Sequence, residues 1–209
     1  MNYWTVPQEW KEQTAFVIAG GPSVLDINLE LLRGRNIVAI NSSIYAVPWA
    51  QYLYFGDSRW WLANSKRLEK FTGHIVTTSM LLWNEPKVLN CRKANPPGLA
   101  LARDTLMQKW TSLTAATNLA VHLVGPGGTI VWLGADGKHR ADGRTHHHQS
   151  HPWPTRKDAY NKQLADLITI VPTLRELQIT ALNASPGTAW PNLLPVVRLD
   201  EWLSERRAA

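Results

Sequence analysis

The stretch Thr14-Ala15-Phe16-Val17-Ile18-Ala19-Gly20-Gly21-Pro22-Ser23 decides the fold. A short, almost wholly apolar run closed by two glycines and a proline reads as a buried strand ending in a tight turn. Residues 26–33 follow, with Ile27, Leu29, Leu31 and Leu32 spaced around a short helix and Gly34 as its stop. Residues 36–41 and 51–55 are two further apolar runs, the second ending at Gly56-Asp57. Residues 58–71 then read as a helix, with Ser58 as its cap and Trp61, Leu62 and Leu68 facing inward. A fourth strand is expected over 74–79.

Beyond it, residues 80–98 carry Pro86, Pro96 and Pro97 and lack periodicity, so an irregular excursion is expected. The small-residue segment 112–123 reads as a helix able to pack closely on a sheet. Thr129-Ile130-Val131-Trp132-Leu133 is a fifth strand, ending at Gly134-Ala135-Asp136-Gly137. After a polar, histidine-rich loop, residues 157–177 read as a helix that Pro172 should kink or divide. A sixth strand at 179–183, an edge strand at 196–199 and a last helix at 200–207 complete the pattern. Strands alternating with helices imply an α/β fold, Rossmann-like, with a mostly parallel sheet and helices on both faces. The 209 residues fit one domain spanning 1–209.

In a sheet of this kind ligands sit outside the carboxyl ends of the strands. Those ends here carry Gly20, Gly21, Pro22 and Ser23, then Asn41, Asp57, Thr78, Ser79, Asp136, Asn183 and Ser185. The Gly-Gly-Pro-Ser turn has two readings. It is either a phosphate cradle, with backbone N–H groups at a helix start, or an ordinary strand-to-helix turn. It matches neither the G-x-G-x-x-G fingerprint nor the Walker loop. Asp57 and Asp136 are read either as loop caps or as ligands of ribose hydroxyls, a base edge or a moving proton.

Five of the seven histidines fall within residues 139–151. One reading makes His148 or His151 a general base, its neighbours contacting substrate anions. A solvated loop and a metal site are the others, but neither a Cys pair nor His-Glu-x-x-His spacing accompanies the cluster. Asp-x-Asp is absent too, so no carboxylate pair for a metal–diphosphate is expected, and no metal residue is assigned.

The net charge of +6 and pI of about 9.6 favour anionic partners and admit nucleic acid, although the basic residues are scattered. The single cysteine, Cys91, cannot form an internal disulfide, which fits a cytoplasmic setting. The N-terminal Met1-Asn2-Tyr3-Trp4-Thr5 has neither a basic start nor an apolar run, and no stretch has the ~20 apolar residues of a membrane span. Neither a signal peptide nor a membrane span is expected.

Val17-Ile18-Ala19-Gly20-Gly21-Pro22-Ser23, followed by Ile40-Asn41, resembles the opening of the bacterial sialyltransferase-like glycosyltransferases. It also resembles the related family of motility-accessory glycosyltransferases and hydroxymethylpterin pyrophosphokinases. Thr114-Ala115-Ala116-Thr117-Asn118, Leu133-Gly134-Ala135-Asp136, the histidine loop and Leu182-Asn183-Ala184-Ser185 occur in the same order. The resemblance implies metal-independent transfer from a nucleotide-sugar co-substrate, a CMP-linked sugar among the candidates, with no permanently bound cofactor. Gly20, Gly21, Pro22, Ser23 and Asn41 would hold the phosphates and ribose, and Thr78 or Ser79 the sugar or phosphate. Asn183 and Ser185 would line the base pocket, and a loop histidine, His151 in the first instance, would be the base. The sialyltransferases' loop tyrosines have no counterpart over 137–155. Two alternatives accompany this expectation. One is a nucleotide-dependent pyrophosphoryl transferase acting on a small hydroxymethyl substrate. The other is a non-catalytic nucleotide or nucleic-acid binder.

Overall fold

The computed structural model describes residues 2–148 and 158–208. In chain order the strands are β1 (Thr14–Ile18), β2 (Asn36–Ile40), β3 (Tyr52–Phe55), β4 (His74–Thr77), β5 (Val88–Asn90), β6 (Arg92–Ala94), β7 (Thr105–Met107), β8 (Thr129–Leu133) and β9 (Thr180–Asn183). The helices are α1 (Ser58–Asn64), α2 (Ser112–Val124), α3 (Ala159–Glu176) and α4 (Leu199–Ala208). Seven strands form one parallel sheet in the order β5-β4-β3-β2-β1-β8-β9, with Ile18 registered against Ala39 on one side and Leu133 on the other. The fold is Rossmann-like.

The two-residue period of the strands sorts the apolar side chains into two cores. Ala15, Val17, Val38, Ile40, Tyr52, Tyr54, Ile130 and Trp132 face one side, where α2 and α3 cover them. Phe16, Ile18, Ile37, Ala39, Leu53, Phe55, Val131 and Leu133 face the other, under α1, α4 and short 3₁₀ turns. Ala115, Ala116 and Ala120 are buried, which lets α2 approach the central strands closely. Among the described residues no helix is long and apolar enough to cross a membrane.

Several expected elements differ. Residues 26–33 are not one helix: 3₁₀ turns occupy Pro22–Asp26 and Leu29–Leu32. Ile27 and Asn28 between them are extended, and Asn28 restarts the chain by accepting the Glu30 N–H at 3.2 Å. Asp57, not Ser58, caps α1, accepting the Arg59 N–H at 2.9 Å. That helix ends at Asn64 and buries Trp60 and Trp61 while Leu62 is 75% exposed, so its inward face is rotated from the expected one. Pro172 lies within an unbroken α3, whose Leu167, Ile170 and Leu174 are buried on both sides of it. Residues 196–199 contribute only a bridge from Val196 to Asn183, with α4 already beginning at Leu199.

The excursion after β4 is partly regular. It supplies the outermost strand, β5, and a parallel two-stranded ribbon, β6 with β7. Periodicity missed these three-residue strands because each is shorter than a readable pattern. A buried polar clamp on α2 holds the ribbon region. Asn118, fully buried, accepts the Ala100 N–H at 2.9 Å and the Met107 N–H at 3.1 Å and donates to Ala100 O at 3.0 Å. His122, one turn on, donates from Nε2 to Thr105 O at 3.0 Å, and burial lowers its pKa so that it stays neutral. Asn118→Ala strands buried backbone donors and should cost about 3 kcal/mol. For a protein of this size the unfolding midpoint should fall by roughly 6–12 °C, read by differential scanning calorimetry.

Candidate functional site

From β1 the chain winds outward through β2 to β5, whereas β8 and β9 lie on the other side of β1. The connections leaving β1 and β8 therefore diverge, and a crevice opens at their carboxyl ends. A cleft of about 320 Å³ lies there, floored by residues 19–21 after β1 and 134–137 after β8. Its walls include Asn41 after β2, Trp110 and the start of α2 (Thr111, Ser112), Lys138, His146 and His148 from the following loop, Tyr160 and Gln163 of α3, and Trp190.

Gly20 and Gly21 line this cleft, but the turn is not free to cradle an anion. The Ser23 N–H donates to Asp136 Oδ2 at 2.8 Å and its hydroxyl to Oδ1 at 2.5 Å, while the Gly21 N–H donates to Gly134 O at 3.0 Å. Asp136 is 6% exposed; burial raises its pKa, and the Ser23 hydrogen bonds and the Lys138 charge oppose that rise. A Cβ at Gly21 would fall on Gly134 O and the Asp136 carboxylate, so this close approach requires glycine. Pro22 is buried beneath the turn, which continues as 3₁₀ and supplies no helix dipole to speak of. The Gly-Gly-Pro-Ser segment thus binds the chain's own carboxylate.

The anion-attracting element is α2. It has 13 residues, its N-terminal turn faces the cleft, and Thr111 caps it by accepting the Leu113 N–H at 3.1 Å. Lys138 adds a cation to the same cleft. Opposite in character are Asp136 and Asn41. Asn41 sits at φ +51°, a left-handed conformation that asparagine tolerates, and its Oδ1 is buried with no hydrogen-bond donor among the described residues. An orphan acceptor of this kind, in a cleft wall, fits a ligand hydroxyl or N–H.

The histidine loop closes one side. The His147 N–H donates to Gly20 O at 3.1 Å. Its Nε2 lies 3.0 Å from Ser43 Oγ, whose hydroxyl donates to Ala19 O at 3.1 Å, so the network assigns the proton to Nε2. Burial, then the neighbouring His148 and His146 charges, push the His147 pKa down to about 4. His147 is therefore a neutral latch, and His146 and His148, with ring centroids 5.0 Å apart, face the cleft instead. His148, one of the two histidines expected as a general base, lines the cleft; His151 lies outside the described residues. Among the described residues no group of three or more His, Cys, Asp or Glu side chains is placed to hold a metal ion.

Of the remaining expected residues, none lines this cleft. Asp57 caps α1 and pairs with Arg59 at 2.6 Å. Thr78 is buried against Tyr54 and Gln108, and the Ser79 N–H bonds to Thr77. Asn183 accepts the Ser185 N–H at 3.0 Å, and Ser185 Oγ accepts the Ala135 N–H at 2.7 Å. This pair braces the floor from behind. Sequence reasoning missed Thr111, Ser112, Lys138, Tyr160, Gln163 and Trp190. Thr111-Ser112 before an apolar helix was a readable cap signal; the others carry none. No family model, curated protein or solved structure matches the chain.

The latch sets a pH dependence. A folded-state pKa below the unfolded 6.5 means that the released loop binds a proton the docked loop does not. Docking is strongest above about pH 6.5 and weakens as pH falls toward 4, by at most about 3 kcal/mol. His147→Gln should flatten the fall in unfolding midpoint between these pH values. The wild-type-minus-variant difference removes the opposing contribution of Asp136.

Proposed function

We propose that the cleft binds a nucleotide-activated sugar and transfers the sugar to an acceptor hydroxyl. The observation that carries this reading is the mixed lining of the cleft. Cationic, donor-rich groups (the α2 N-terminus and Lys138) and the acceptors Asn41 Oδ1 and Asp136 border the same space. A ligand uniting phosphate with sugar hydroxyls satisfies both, and the crevice is where such a sheet binds nucleotides. The resemblance of residues 17–23 and 40–41 to the sialyltransferase-like enzymes supports the same reading.

In this reading the phosphates lie at the start of α2, and ribose or sugar hydroxyls donate to Asn41 and Asp136. The acceptor oxygen forms a bond to the anomeric carbon as its proton passes to His148. The bond from that carbon to the phosphate oxygen breaks, and its electron pair leaves with the phosphate. Lys138 and the α2 N–H groups receive the departing charge, a task otherwise given to a metal ion. The acceptor remains open, nucleic acid among the candidates.

A thermal-shift panel of CMP, CDP, UDP, GDP and ADP, with and without EDTA, tests the donor site. One nucleotide should raise the midpoint by roughly 5–10 °C at 100 times its Kd, unchanged by EDTA. With that donor, His148→Ala should lower turnover by about 10²–10⁴-fold while leaving nucleotide affinity in place. No response to any nucleotide, or full turnover in His148→Ala, overturns the proposal. Dependence on ATP and magnesium would instead mark a pyrophosphoryl transferase.

A further inference from the structure

Trp110 stands at the cleft, immediately before the Thr111 cap of α2, and is 48% exposed, whereas Trp190 in the same lining is 8% exposed. An indole left half in water is ordinary on a surface. The backbone that carries this one, however, is held in place. The Trp110 backbone N–H donates to Asp166 Oδ2 at 2.6 Å, and Asp166 projects from α3 with only 4% exposure. Thr111 begins the helix at the next residue, so the backbone on both sides of the ring is fixed. The Lys162 ammonium, itself paired with Asp158 at 2.6 Å, lies over the ring 4.6 Å from its centroid, and that of Lys109 lies over it at 5.7 Å.

A half-exposed indole next to a phosphate-attracting helix start, with lysines over its ring, matches the chemistry of a nucleoside phosphate. The base takes the place of the lysine contacts on the ring, and the phosphates meet the α2 start and Lys138. A sugar phosphate without a base would use the α2 terminus and Lys138 but not the indole. Resting on the reading under Proposed function, we infer that Trp110 is the base-stacking platform of the cleft, and that it makes the site select a nucleotide over a simple phosphoester. Every base offers a π-face, so stacking sets the class of ligand and the groups around the base set which one.

The test is calorimetric binding of the nucleotide that stabilises the protein most and, separately, of inorganic pyrophosphate. Wild type, Trp110→Phe and Trp110→Ala are compared, each checked for an unchanged unfolding midpoint. Trp110→Ala should weaken nucleotide binding by about 5–100-fold, Trp110→Phe should recover most of that loss, and pyrophosphate affinity should be the same in all three. Unchanged nucleotide affinity in Trp110→Ala overturns the inference, as does an equal loss for nucleotide and pyrophosphate, which would mark a general distortion of the α2 start. Wild-type protein that binds pyrophosphate but no nucleotide overturns the platform while leaving the anion site standing. Wild-type protein that binds neither removes the reading of the cleft itself.

Discussion

The carboxylate of Asp136, received by the backbone and hydroxyl of Ser23, ties the ends of β8 and β1 together at the point where the sheet changes direction. Backbone hydrogen bonds from Ala19 to Leu133 O and from Gly21 to Gly134 O already join the two ends, and the Asp136 side chain extends the link to Ser23 beyond them. Burying a carboxylate is costly unless it is hydrogen-bonded, and both Asp136 oxygens are. Gly21 permits the approach, Ser185 and Asn183 hold the Ala135 backbone behind it, and His147 fastens the covering loop to Gly20 and Ser43. The cleft's shape follows from this bridge.

The bridge also changes where an anion can bind. Ser23 and its backbone N–H would be an attractive phosphate site if unoccupied, but Asp136 holds them and adds negative charge of its own. The capped start of α2 and Lys138 are left as the cleft's positive groups, bordering the same space as the acceptors Asn41 and Asp136. The three adjacent histidines divide between two roles, one a neutral latch and two lining the cleft.

How much of this was legible varies with the physical reach of each signal. The central strands were readable because residues buried on both faces of a parallel sheet form short continuous apolar runs, as Phe16-Val17-Ile18 and Ile130-Val131-Trp132 do. The helix α2 was readable from its composition. β5, β6 and β7 were not, since three residues hold no period; β5 is placed by pairing with β4, β6 by pairing with β7, and β7 is held by Asn118 and His122 from α2. The helix expected at 26–33 failed on local hydrogen bonding by Asn28, which competes with helix continuation.

At the site, the strand-end rule found Gly20, Gly21, Asn41 and Asp136, and the histidine cluster pointed to His148. It also admitted Asp57, Thr78, Ser79, Asn183 and Ser185, because a polar residue after a strand looks the same in sequence whether it caps, braces or binds. The sequence by itself determined the α/β class, the parallel central strands and the carboxyl-end location of the cleft, all of which follow from residues close together in the chain. Only the tertiary structure decided that Asp136 closes the Gly-Gly-Pro-Ser turn and that α2 presents its start to the cleft. It alone decided that Trp110, Tyr160, Gln163 and Trp190 meet there. Those facts depend on contacts between segments tens of residues apart, set by strand order and by which face each helix covers, and no local pattern encodes them.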